Sequence, residues 1–224
     1  GIDTGAITEQ AAHLAALGNT IVYLSVDLQV AGVISIADPI KDDSSTAIKH
    51  MHELGLKVVM LTGDTIVTAN AVAHQAGITH VIAGVLPGDK ADKVRELQNQ
   101  GEVVAMVGDG INDAPALAQS DVGIAIGTGA DVAIESADIA LIGGSLNAVA
   151  DAIALSSATM RNIKQNLFGA FIYNVLGIPV AAGVLYPMSG ILLSPIIAAA
   201  AMSMSSVTVV TNALRLRHQK LYKR

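Results

Sequence analysis

Three short stretches of the chain combine residues that could do phosphate chemistry. Thr62-Gly63-Asp64 offers a hydroxyl, a glycine that permits close backbone approach, and a carboxylate. Lys90, after Pro87-Gly88-Asp89, brings an ammonium group to a predicted helix start. Gly108-Asp109-Gly110-Ile111-Asn112-Asp113 carries two carboxylates four residues apart across a glycine-rich turn, with an amide between them. Two such carboxylates can converge on one hard, oxygen-preferring cation, and Mg²⁺ commonly takes one or two protein carboxylates plus phosphate oxygens. A hydroxyl, neighbouring backbone N–H groups and an ammonium suit the phosphoryl oxygens themselves. Together they read as a phosphoryl-transfer site that lacks its nucleophile. Thr-Gly-Asp alone is a common turn, and a lone Lys near a helix start is usually solvated surface. The weight rests on Gly-Asp-Gly-x-Asn-Asp, which has more polar groups than a turn needs.

A second group of polar residues lies in an otherwise apolar region. Tyr173 and Asn174 are followed five residues on by Pro179, and Met202-Ser203-Met204-Ser205-Ser206 puts Met202 and Ser206 one helical turn apart. Such residues commonly mediate helix packing in membranes, and Met fills gaps. Thioethers also favour soft monovalent metal, above all Cu(I), and no carboxylate is present there for a hard cation. The six His residues are scattered without ligand spacing and read as solvated or packed.

The elements that must position these residues follow from patterning. Ala11 to Leu17 is a predicted helix ended by Gly18. Ile21 to Val26 and Val30 to Ile36 form a predicted antiparallel hairpin across Asp27-Leu28-Gln29. Asp42, Asp43 and Ser44 offer caps for a helix stopping at Gly55, Thr65 to Gln75 is a second helix, and Pro87 opens a third through Gln98. Leu56 to Leu61, His80 to Ala83, Glu102 to Val107, Val122 to Ile126 and Ile139 to Ile142 are short apolar strands between helices. Strands apolar on both faces and joined by helices predict an α/β fold with a doubly wound parallel sheet, whose chemistry sits at the carboxyl ends of the strands. The first and third chemical stretches fall directly after such strands.

Charge divides the chain. With 224 residues, 52% hydrophobic and 14% charged, it is too apolar for disorder and too charge-poor for an ordinary soluble domain. All 19 acidic residues lie between Asp3 and Asp151 with only six basic ones, a net charge of −13. The seven remaining basic residues follow, and no charged side chain stands between Lys164 and Arg215. That stretch predicts a transmembrane hairpin, residues 166–186 and 191–214, entered through a stalk helix over 145–165. Basic residues flank it at both outer ends, so residues 1–165 and the basic tail 215–224 are expected in the cytoplasm, with the tail anchored at the lipid surface. Nucleic-acid binding is not expected beside so acidic a front. The N-terminus has no signal-peptide pattern and no initiator Met, so the chain is expected to be a piece of something longer.

Met60-Leu61-Thr62-Gly63-Asp64, Pro87-Gly88-Asp89-Lys90, the run from Gly108 through Asn112-Asp113-Ala114-Pro115-Ala116-Leu117, and Asp121 to Gly129 resemble motifs of the P-type ATPases, within the haloacid dehalogenase-like superfamily. The resemblance implies that Asp109 and Asp113 hold Mg²⁺ and that Thr62 and Lys90 contact the phosphoryl group. It further implies that Gly63 and Asp64 shape the approach of ATP, and that Asn112 contacts phosphate or orients its loop. Residues 1–36 would be the tail of a nucleotide-binding domain, Asp38-Pro39 a hinge, and 37–144 the later part of the phosphorylation domain. Tyr173-Asn174 and Met202-Ser203-x-Ser205-Ser206 resemble the last two helices of copper-transporting heavy-metal ATPases. That implies Cu(I), with Ag(I) open, as transported ion, an inner or plasma membrane location, and Tyr173, Asn174, Met202 and Ser206 along the ion pathway. The family's Asp-Lys-Thr-Gly-Thr, Thr-Gly-Glu and Cys-Pro-Cys motifs are absent from this sequence. The expectation is therefore the C-terminal part of a copper-exporting pump, inactive alone and completed by an N-terminal portion. The rivals are a membrane-anchored dehalogenase-like phosphatase, which would need an Asp-x-Asp motif upstream, and a truncated module without catalysis.

Overall fold

A computed structural model describes residues 4–36, 39–109, 111–127, 134–190 and 193–218. The hinge residue Asp38, Gly110, Thr128-Gly129, the expected span start at Ile191 and the basic tail beyond His218 lie outside these. The chain divides into two units, Gly1–Ala150 and Asp151–Arg224.

The first unit opens with α1 (Thr8–Ala16) and an antiparallel hairpin of β1 (Thr20–Val26) and β2 (Gln29–Ile36). The hairpin turn is tighter than the three-residue link predicted. Gln29 pairs with Val26, leaving Asp27 and Leu28 at φ 48 and 62. Positive φ at both central residues matches the right-handed twist of the strands, which here outweighs the discomfort of Leu in that region. Ala31 is an extra residue opposite the Leu24/Ser25 step, a bulge that bends the ribbon.

An alternation of helices and strands follows: α2 (Ser44–Glu53), β3 (Val59–Leu61), α3 (Ile66–Ala76), β4 (His80–Ile82), α4 (Lys90–Asn99), β5 (Ala105–Gly108), α5 (Ala114–Gln119), β6 (Val122–Ile126) and β7 (Ile139–Leu141). The helix ends follow the predicted chemistry. Thr65 caps α3 by accepting from the Thr68 N–H at 3.4 Å, and Gly77 closes it at φ 80, where a side chain would be strained. Asp43 precedes α2, yet its carboxylate does not cap; it accepts instead from the Ser145 hydroxyl. Lys41 donates to the Gly144 carbonyl at 2.7 Å and His50 Nδ1 lies 3.3 Å from Asn147 Oδ1, so α2 and the residues leading into it are strapped to the segment after β7.

The strands pair in parallel as predicted, but in two groups: β3 with β4, and β5 with β6 and β7. Among the described residues β3 and β5 each have one partner only, and each leaves an edge unpaired. Val59, Met60 and Leu61 are half-buried, where the middle of a doubly wound sheet would be buried. Core packing concentrates on the other side: Leu117, Ile124, Val94 and Val149 are 2% exposed or less. Gly123 is required there, because a Cβ on it would lie 2.8 Å from the Leu117 carbonyl oxygen.

The second unit contains most of α6 (Asn147–Ala181), the short α7 (Tyr186–Ser189) and α8 (Pro195–Leu214). The stalk and first span predicted as separate segments are one continuous helix with Pro179 inside it, ending at Ala181 rather than Tyr186. Its uncharged helical stretch is therefore shorter than predicted, and Asn166 and Asn174 lie within it. Among the described residues one helix, Pro195–His218, is long and apolar enough to cross a membrane.

Candidate functional site

The carboxyl end of β3 is held by a short polar lattice. The Thr62 hydroxyl donates to Asp64 Oδ2 at 3.0 Å and accepts from the Asp64 N–H at 3.1 Å. The Thr62 N–H donates to the Ile82 carbonyl and its carbonyl accepts from Val85, stitching the loop to the chain after β4. Gly63 eases that approach: a Cβ there would sit 3.3 Å from the Val85 carbonyl oxygen, a tight contact.

The carboxyl end of β5 carries the acidic half. Asp113 ends a single 3₁₀ turn, Ile111–Asp113, and its carboxylate folds back against Gly108. A Cβ built on Gly108 would come within 2.6 Å of Asp113 Cβ and 2.9 Å of its Oδ2, so a hydrogen at this position is what lets the carboxylate lie over the strand end. Lys90 Nζ donates to Asp113 Oδ1 at 2.7 Å, with side chains 18% and 13% exposed. Pro87–Asp89 forms the turn that points α4 and its first residue, Lys90, at this carboxylate. Asp109 and Asn112 are exposed, and their side chains have no hydrogen-bond partner among the described residues.

Asp113, paired with the Lys90 ammonium, and the exposed Asp109 four residues before it are donors of the kind that suit Mg²⁺ completed by waters and phosphate oxygens. They do not suit an all-protein cage, and among the described residues no group of three acidic or His side chains converges. Thr62 and Asp64 come together, as do Lys90 and Asp113; no hydrogen bond among the described residues links the two pairs. The pairing of Lys90 with Asp113, and the part Gly108 plays in it, escaped sequence reasoning. The glycine directly ending a buried strand before Asp was the available signal.

Asp121, at the foot of β6, has a different task. The Val104 N–H, donating at 2.8 Å, and then Gln98 hold its carboxyl below the usual carboxylate range, fastening β5 to the entry of β6.

In the second unit Tyr173 is half-buried, whereas Asn174, Met202 and Ser206 are exposed. Their own polar bonds stay within their helices: Asn174 Nδ2 to the Ala170 carbonyl at 3.1 Å and Ser206 Oγ to the Met202 carbonyl at 3.3 Å. Sequence reasoning overlooked a cluster of amides further along. Asn162 Nδ2 donates to the Asn212 carbonyl at 2.7 Å, Asn166 Nδ2 to Asn162 Oδ1 at 3.0 Å, and Asn212 Nδ2 to Asn166 Oδ1 at 2.9 Å. Asn residues four apart on one helix face were the signal for it.

A parallel α/β unit with Thr-Gly-Asp and Gly-Asp-Gly-x-Asn-Asp at strand ends is a dehalogenase-like phosphoryl-chemistry fold. The chain belongs to the haloacid dehalogenase-like hydrolase family, whose model matches residues 5–121. It is 58% identical over 97% of its length to copper-transporting ATPase 2 of Rhizobium meliloti (strain 1021), covering 26% of that protein. To the silver exporting P-type ATPase of Salmonella typhimurium it is 56% identical over 92% of its length, covering 25%. A solved structure of a zinc-transporting PIB-type ATPase in its E2.Pi state superposes with a TM-score of 0.76 at 37% identity, over 96% of this chain and 34% of that one. The chain thus spans about a quarter to a third of the relatives it matches.

Proposed function

We propose that the chain is the C-terminal part of an ATP-driven Cu(I) export pump of the P-type class. The observation that carries the reading is the likeness to copper-transporting ATPases across both units, over 97% of the chain. The interrupted sheet supports it: among the described residues β3 and β5 each keep an unpaired edge, and an upstream strand bearing the phosphorylated aspartate would join them. Its carboxylate would then emerge between Thr62 and Asp109, the two strand ends that carry the chemistry.

In that assembled site Asp109 and Asp113 would hold Mg²⁺, which neutralises charge on the transferring phosphoryl group. Lys90, already beside Asp113, would serve the phosphoryl oxygens, and the Thr62 hydroxyl would donate to another. Gly63 and Asp64 would border the incoming ATP, and Asn112 would orient the loop between the two carboxylates. Residues 1–36 would close the nucleotide-binding domain. Residues 166–186 and 191–214 would cross the inner or plasma membrane, with Tyr173, Asn174, Met202 and Ser206 along the path of Cu(I) or Ag(I). The basic residues from Arg215 on would keep both ends cytoplasmic. Phosphorylation upstream would bias a domain rearrangement that switches access to the ion path.

The test has two arms. The complete pump should form an acid-stable, Mg²⁺-dependent phosphoenzyme stimulated by Cu(I), and the purified 224-residue chain should not turn over ATP. Steady Mg²⁺-dependent hydrolysis by the chain alone overturns the reading.

A further inference from the structure

We infer that Asn162, Asn166 and Asn212 form an amide latch that sets the register of α6 against α8, and that this register brings Asn174, Met202 and Ser206 to one flank of the helix pair at adjoining depths. The latch stands on geometry alone; its importance for transport rests on the ion-pathway reading above.

Among the described residues the hydrogen bonds between α6 and α8 gather at this level, and all of them involve Asn212. Asn162 is 7% exposed, a polar side chain more enclosed than its apolar neighbours Leu167 and Phe168, at 52% and 70%. Close packing does not hold the helices together here. A cleft of about 490 Å³ opens beside the amides, lined by Gln165, Asn166, Thr208 and Arg215 among others. Arg215 Nη1 donates to Asn212 Oδ1 at 3.3 Å, leaving the Asn212 amide group to face Asn166.

The consequence follows from helix geometry. Only residues 182–194 join α6 to α8, too few to carry the chain back for a parallel pair bonded at these amides, so the helices run antiparallel and Asn212 lies level with the midpoint of Asn162 and Asn166. Ten residues back along α8, about 15 Å, stands Met202; the same distance along α6 reaches Asn174. Ser206 lies about 6 Å closer to the latch. At about 100° per residue, Tyr173 falls on the latch face of α6 and Asn174 about 100° to one side of it. Met202 and Ser206 fall about 80° and 120° from the latch face of α8, and because the helices are antiparallel these rotations carry them to the same side as Asn174. Burial agrees with this placement. Asn166, Gly169, Tyr173 and Gly177 of α6 are half-buried, as are Ala201 and Ser205 of α8, while Asn174, Met202 and Ser206 are exposed. A slip of one turn, about 5 Å, would separate an amide and a thioether meant to meet at one depth.

The experiment uses the 224-residue chain in phosphatidylcholine nanodiscs. It has no Cys, so spin labels at Asn174→Cys and Met202→Cys are specific. Pulsed electron resonance should give one narrow interlabel distance. Adding Asn166→Leu with Asn212→Leu should broaden it or move it by about one turn, ~5 Å, at unchanged helix content. Asn162→Ala, which removes one bond between the helices and the Asn166 bond within α6 while leaving Asn212 on Asn166, should give a smaller broadening. Thr208→Val, whose hydroxyl bonds within its own helix, should leave the distance as it was. An unchanged distance in the double Leu variant overturns the latch, and so does an equal change in Thr208→Val. In the complete pump, the double Leu variant should lower Cu(I) transport several-fold. If the latch variants shift the register while Met202→Ile transports normally, the latch stands and the ion-pathway reading fails.

Discussion

The two units bury opposite kinds of residue. In Gly1–Ala150 the enclosed side chains are Leu117, Ile124, Val94 and Val149, and the charges sit at strand ends and surface. In Asp151–Arg224, Phe168, Leu176 and Met202 are 64–70% exposed and the most enclosed polar side chain is Asn162. Water drives apolar residues inward in the first unit. One helix of the second is long and apolar enough to cross a membrane, and in hydrocarbon no such drive would act, so that polar amides would find one another there instead. Among the described residues each unit leaves surface open in its own way: the first has unpaired strand edges, the second exposed apolar flanks.

Chemistry in the first unit should be the easiest part of this contrast to break. Lys90→Ala would leave the Asp113 carboxylate, 13% exposed, without its ammonium. In the complete pump we expect phosphoenzyme formation to fall roughly 100-fold or more, measured by rapid-quench phosphorylation, with Cu(I) binding unchanged. A loss of both would mean that the units do not divide the work. Next in size, Gly123→Ala drives a methyl into the Leu117 carbonyl and should cost about 2 kcal/mol, read as a lowered thermal midpoint of the first unit only. An unaltered midpoint would show that β6 and α5 yield more easily than their contact implies.

In the second unit, Met202→Ile keeps volume and apolarity while removing the sulfur. Transport should drop about tenfold, the scale of one lost ligand interaction near 1.4 kcal/mol, while phosphorylation by inorganic phosphate without copper persists. Equal transport with unchanged stoichiometry would overturn the ligand role proposed for Met202. The smallest effect concerns pH. Because the folded pKa of Asp121 lies below its unfolded value, its contribution is present above about pH 4 and disappears as pH falls through the folded value. Asp121→Asn should therefore flatten the acid limb of the stability curve of the first unit by slightly lowering its neutral plateau, with little change at low pH. A steeper acid limb in the variant would contradict that sign.

The local signals were legible in the residues. Gly18, Gly77 and Gly101 adopt positive φ just beyond the helices that precede them, and Thr62-Gly63-Asp64 and Asp109 directly follow β3 and β5 as patterned. Less visible was anything that depends on partners far along the chain. Leu56 to Leu61 reads as a six-residue strand, but only Val59–Leu61 pairs, since β4, its partner among the described residues, is itself three residues long. Asp43 has the chemistry of a cap, but Ser145 takes its carboxylate. Asn166 looked like the start of a span, and its position opposite Asn212 could not be read from either helix alone.

What the sequence points to by itself is the chemistry and the medium proposed for each half. Carboxylates with glycines after buried strands suit a cation and phosphate, and a long uncharged run suits hydrocarbon, because both follow from side-chain type and short spacing. Tertiary structure decided which groups meet. Lys90 reaches Asp113 across 23 residues, Asn212 reaches Asn162 across 50, and the strands separate into two parallel groups. These contacts depend on how the chain returns to itself, and no local propensity encodes that.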